Sequence, residues 1–240
     1  MPSNVYEIKM AYILNDPTIF NIEPLNPFEI YQLSINVIKD DFLPVRWLLS
    51  VQPTNLILFA VKAGNVKCLQ YLRKKGYPWK TSVCWFAAAN GHLDVLKYLY
   101  EEGCQMESDV CEAAAFNGHL NCLIYAHEQG APWNWIVCSK AASQGHLEIL
   151  QYLHENGCPW NRATCTTAVL NGHLNCLIYA HENGCPWGET TCYSAAENGH
   201  LDCLVYLHEN KCPWCWRTTR IAAKYGHLGC LIYAIENGCP

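Results

Sequence analysis

The chain has 240 residues, 51% of them apolar and 15% charged, with a formal net charge of −5. This is enough apolar material for one or two domains with a real core, and it excludes a wholly disordered chain. The acidic balance gives no sign of a surface for nucleic acid or an anionic membrane.

In chain order, residues 1–54 come first and differ from the rest of the chain. Met-Pro-Ser-Asn-Val-Tyr-Glu has no basic stretch leading into an apolar one, so no secretory leader is expected. Pro17, Pro24 and Pro27 interrupt short apolar runs. Val45-Arg46-Trp47-Leu48-Leu49 echoes the helical core of the repeating units, so 28–50 is read as a degenerate capping unit. The longest uncharged apolar run, Leu56 to Val61, is far too short for a membrane span, so no membrane partner is expected.

From about residue 55 the sequence repeats. Gly64, Gly91, Gly118, Gly145, Gly172, Gly199 and Gly226 are each 27 residues apart. All but Gly64 are followed by histidine: His92, His119, His146, His173, His200 and His227. Leucine recurs five residues after each glycine and tyrosine seven after, a column holding half of the 14 tyrosines. A second glycine column, Gly76, Gly103, Gly130, Gly157, Gly184 and Gly238, is broken once, by Lys211. Such a period is the mark of a solenoid, whose units bury their apolar faces only by stacking.

Each unit reads as two short helices. In the clearest copy the first runs from about Thr190 to Glu197 and carries Ala195-Ala196, which favour helix and close approach. Asn198-Gly199 stops it, because glycine accepts the left-handed conformation of a helix end. The second, about Leu201 to Glu209, is amphipathic. A Gly-Cys-Pro-Trp turn then breaks the helix.

Thr190-Thr191-Cys192-Tyr193-Ser194-Ala195-Ala196-Glu197-Asn198-Gly199-His200-Leu201-Asp202-Cys203-Leu204 resembles the ankyrin repeat pattern. That unit is usually about 33 residues. Here the shortening falls where the family places its β-hairpin, so strands should be short or absent. The resemblance implies an all-α ankyrin-like solenoid of seven 27-residue repeats over 55–240. The short unit is similar to ankyrin-type repeats of large DNA viruses of amoebae and algae, which implies a viral protein working in host cytoplasm. Relatives of that kind often carry an F-box-like segment before the repeats, so 1–54 is alternatively an adaptor-binding part of a ubiquitin ligase.

Fifteen of the 16 cysteines fall in three columns, all at positions where a small buried apolar residue fits. Without sign of export they are read as reduced thiols in the cytoplasm. Equivalent residues of stacked helices lie about 8–10 Å apart, too far for a disulfide ladder down one column. Pairs between columns, such as Cys158 with Cys165, stay open. The ten histidines form two columns. The Gly-His set is expected to bond backbone between neighbouring repeats. His127, His154, His181 and His208 suit the negative end of the second helix. Trp79, Trp133, Trp160, Trp187 and Trp214 are expected to pack across successive turns. Periodic placement spreads these groups along the stack, so no metal site, cofactor or catalytic Cys–His pair is expected. A metal- or thiol-dependent enzyme is the weakest alternative.

Repeating columns build the scaffold; variable ones report what it presents. The most variable lie ten, six and two residues before each marker glycine, on one face of the first helix. From them Trp85, Glu112, Phe116, Trp135, Ser139, Thr166, Tyr193, Glu197, Trp216, Arg220 and Lys224 are the candidate partner-binding residues. Aromatics and arginine dominate binding hot spots. The expected function is a monomeric protein-interaction scaffold that presents this face to a protein partner.

Overall fold

The computed structural model describes residues 53–74, 76–78 and 83–240. Most of the expected N-terminal segment, including the capping unit and the F-box-like reading, lies outside the described residues. Among the described residues there is no strand and every regular element is a helix.

The helices fall into two units, divided after Met106. In the first, α1 (Pro53–Lys62) pairs with α2 (Val66–Lys74), and α3 (Val83–Ala89) with α4 (Leu93–Glu101). In the second, the first helices are α5 (Ser108–Asn117), α7 (Trp135–Ser143), α9 (Arg162–Leu170), α11 (Glu189–Asn198) and α13 (Trp216–Tyr225). Their partners are α6 (Leu120–Glu128), α8 (Leu147–Glu155), α10 (Leu174–Glu182), α12 (Leu201–Glu209) and α14 (Leu228–Glu236). Within this unit first helices stack on first helices, and α8, α10, α12 and α14 stack likewise.

The sequence explains the packing. Ala141, Ala142, Ala195, Ala196 and Ala222 are wholly buried, letting neighbouring first helices approach closely. Leu123, Leu150, Leu177 and Leu204 fill the layer beneath. The three cysteine columns are buried with them, and Cys215, outside the columns, is half-buried. All 16 cysteines are free thiols.

Each first helix is stopped by its marker glycine. Gly118, Gly199 and Gly226 cap α5, α11 and α13 with φ of 81°, 75° and 74°, a region open to glycine at little cost. The next residue is the Gly-His histidine, whose ring does not cap its own helix but bonds the preceding pair. His146, His173, His200 and His227 donate from Nε2 to the carbonyls of Phe116, Ser143, Leu170 and Glu197 at 3.2, 3.1, 3.1 and 2.9 Å. His92 does the same to Lys62 in the first unit at 2.8 Å. Where histidine is replaced by Asn65, that side chain turns inward and accepts the Cys68 amide at 2.9 Å, as an ordinary helix cap.

Candidate functional site

Two of the aromatic residues on the second unit's first helices are placed by where those helices start. Asn134 accepts the Ile136 amide at 2.8 Å and so fixes Trp135 as the first residue of α7. Cys215 takes the extended conformation before α13, leaving Trp216 in its opening turn. Phe116 and Leu170 lie at the far ends of α5 and α9. All four stay open to solvent, at 39% for Phe116, 43% for Trp135, 37% for Leu170 and 51% for Trp216.

Cations stand over two of these rings. The Lys140 ammonium is 5.3 Å from the Phe116 centroid. The guanidinium carbons of Arg217 and Arg220 lie 5.7 and 5.6 Å from Trp216. Such contacts are worth about 0.5–1 kcal/mol at exposed sites, and hold the rings in a defined pose. Lys224, also exposed, lies 4.9 Å from the Tyr225 ring.

The other expected residues are less open. Glu112, Thr166, Tyr193 and Glu197 are half-buried. The Thr166 hydroxyl donates to the Arg162 carbonyl at 3.0 Å, one turn back. The Tyr193 hydroxyl donates to the Glu197 carboxylate at 3.5 Å. Ser139 departs from the expectation: it is only 7% exposed, and its hydroxyl donates to the Trp135 carbonyl at 3.2 Å. Its side chain is too short to pass its neighbours, so it belongs to the interior and not to the face. Leu170, absent from the expected residues, takes part in the exposed face instead. In the first unit, Trp85 is half-buried on α3 and meets Phe86 edge-on at 4.7 Å.

On the second helices the structure joins columns that sequence spacing keeps apart. His154 stacks on Trp160 at 4.1 Å and shares a 3.1 Å hydrogen bond through Nδ1 with the Tyr179 hydroxyl of the next pair. His181, Trp187 and Tyr206 repeat the arrangement, with distances of 3.7 and 2.9 Å, as do His208, Trp214 and Tyr233, at 4.0 and 3.0 Å. Burial lowers the His181 pKa and raises those of Tyr179, Tyr206 and Tyr233. The ladder holds one pair to the next, a structural use that explains recurrence without a ligand.

The thiols are equally unsuited to solvent chemistry one by one. Burial pushes the Cys122, Cys176 and Cys203 thiols up to about 11, and Cys68 and Cys111 up to about 12. Among the described residues no three His, Cys, Asp or Glu side chains converge as a metal would require. No described helix is long and apolar enough to cross a membrane.

Residues 138–215 match the family model for ankyrin repeats (3 copies). The crystal structure of the human ASB11 ankyrin repeat domain superposes with a TM-score of 0.62 over 77% of this chain and 98% of that one, at 17% identity. The fold is ankyrin-like. A search of the curated proteins finds no match. Ankyrin repeats generally serve as protein-interaction scaffolds.

Proposed function

We propose that the chain binds a protein partner along the first-helix face of residues 107–240, anchored by Phe116, Trp135, Leu170 and Trp216. One observation carries this reading: α5, α7, α9 and α13 each hold a large apolar side chain out in water, whereas the second helices α6, α8 and α10 between them expose none. Exposed large apolar groups on the second unit's second helices are confined to Leu201 of α12 and to Leu228, Ile232 and Ile235 of α14. Exposed apolar groups gathered on one face are a mark of interaction surfaces. Arg220 and Lys224, with Arg217, make the α13 part of the face basic, so the partner segment lying there is acidic. Half-buried Glu112, Thr166, Tyr193 and Glu197 form the polar ground between the anchors. The proposal includes a reducing, cytoplasmic setting, supported by the 16 free thiols.

The test is affinity capture with the full chain as bait, followed by variants. Trp135→Ala and Trp216→Ala should each weaken the captured complex by about thirty-fold or more, the usual loss at an aromatic hot spot. Asp202→Ala, on the exposed side of α12, should leave it intact. If Asp202→Ala abolishes capture while both tryptophan variants bind normally, the partner uses the other face.

A further inference from the structure

Four cysteine pairs stand out once the thiol columns are placed in space. Cys84 and Cys104, 20 residues apart in the first unit, have Sγ atoms 2.7 Å from one another. In the second unit the same residues adjoin: the Cys165 and Cys192 thiols donate to the carbonyls of Cys185 and Cys212, each at 3.9 Å, and Cys138 interacts with Cys158 in the equivalent place. Each pair joins a first helix to the turn that comes after its own second helix. The turn thiols also reach the carbonyl before that first helix: Cys158 to Asn134 at 3.4 Å, Cys185 to Asn161 at 3.2 Å and Cys212 to Gly188 at 3.5 Å.

The pairing is not forced by packing. Cys111 has Ala131 at the turn position, and Cys239 has Thr219 at the helix position, and the helix pair forms in both cases. The two members of a pair also differ. Helix thiols Cys84, Cys138, Cys165 and Cys192 are fully buried, whereas turn thiols Cys104, Cys158, Cys185 and Cys212 keep 3–4% exposure. Hydrogen bonds from Cys165 and Cys192 lower the pKa of Cys185 and Cys212, and raise their own. Arg162 adds a smaller push toward the Cys212 thiolate. A turn thiol less deeply buried than its neighbour, with that second thiol directly behind it, is the arrangement of an attacking and a resolving cysteine; at Cys185 and Cys212 the turn thiol is also acidified.

We propose that these four pairs are reversible two-electron redox sites that hydrogen peroxide converts to disulfides. The turn thiolate attacks one peroxide oxygen, breaking the O–O bond and leaving a sulfenic acid and hydroxide. The helix thiol, giving up its proton, then attacks the sulfenic sulfur and expels the second oxygen as hydroxide. The pair loses two electrons and two protons, and peroxide leaves as two waters. At Cys84–Cys104 the closing movement is under about 1 Å, from the observed approach to the disulfide length near 2.05 Å. The bond staples the first helix to the turn of its own pair, which is independent of whether the face above binds a partner.

The test treats the reduced full chain with peroxide at neutral pH, blocks remaining thiols and maps peptides by mass spectrometry. Crosslinks should appear at Cys84–Cys104, Cys138–Cys158, Cys165–Cys185 and Cys192–Cys212. Each removes about two mass units, and a dithiol reductant reverses it. Cys111 and Cys239 should remain labelled as single thiols. Cys185→Ala should remove one crosslink and leave Cys165 free. The oxidised chain should melt at a higher temperature, because each bond closes a short loop in the unfolded state. Crosslinks between neighbouring pairs, such as Cys111–Cys158 or Cys138–Cys185, would overturn the proposal. So would sulfinic acid at the turn cysteines without crosslinks, a lowered melting temperature, or untouched thiols under conditions that oxidise the denatured chain.

Discussion

His173 closes the space beside Gly145: a Cβ on that glycine would stand 2.6 Å from the ring Nδ1, while the ring Nε2 donates to the Ser143 carbonyl at 3.1 Å. The marker glycine thus serves twice, by accepting a φ of 74° and by leaving room for the next repeat's histidine. The turn glycines serve once. Gly184 has a φ of 83° but nothing within 4 Å of its missing Cβ. Gly184→Ala should cost about 1 kcal/mol of backbone strain. Gly145→Ala should cost clearly more, because the ring must also move and loses its carbonyl. Urea midpoints of the two variants compare them directly, and equal losses would contradict the double role.

Lys211 adopts the left-handed conformation of its glycine neighbours, with a φ of 63°. The turn column tolerates a side chain there because that side of the chain is open, so strain is the whole penalty. Lys211→Gly should raise stability by about 1 kcal/mol, less the entropy glycine adds to the unfolded chain. A melting temperature that does not rise would count against a shared turn geometry.

Thr164 is wholly buried and its hydroxyl has no hydrogen-bond partner. The same register position holds Val110 and Val137 in other repeats, both buried. Thr164→Val should stabilise the chain by about 1 kcal/mol, by replacing an unsatisfied hydroxyl with a methyl of similar shape. Thermal melts of the variant check this, and a lower melting temperature would show that the hydroxyl is satisfied.

Alkaline pH should loosen the fold. The Cys122, Cys176 and Cys203 thiols rise from the ordinary 9.0 to about 11 on folding, and Cys68 and Cys111 to about 12. The unfolded chain therefore releases these protons first. Their contribution is complete below pH 9.0 and is lost as pH climbs through the folded values. Each thiol removes about 1.4 kcal/mol per pH unit within that window. Melting temperatures should hold steady up to about pH 8.5 and fall steeply beyond it. A flat profile up to about pH 10.5 would mean that the thiols are not buried as described.

Much of the architecture is legible because it is written seven times. The marker glycines set the helix ends, and the expected second helix at Leu201 to Glu209 coincides with α12. The Gly-His histidines bond the preceding repeat's backbone, as their position suggests. The His–Trp–Tyr ladder is invisible when each column is taken alone. Its signal in the sequence is partial: the unit with Tyr100 in the histidine column also has Met106 in the tryptophan column, but Trp79 stands with Arg73 and not with a histidine. Thiol pairing is hidden for a different reason. Cysteines 20 residues apart meet only after the turn folds back on the first helix, which no helical periodicity reports. Ser139 fails as a face residue because helical spacing gives direction, while exposure depends also on side-chain length.

The most direct measurement of the binding account is hydrogen–deuterium exchange of the full chain with and without its captured partner. Protection should concentrate in α5, α7, α9, α11 and α13, strongest around Phe116, Trp135 and Trp216, with α8, α10 and α12 little changed. Protection confined to the second helices, with the first helices exchanging as in the free chain, would contradict it.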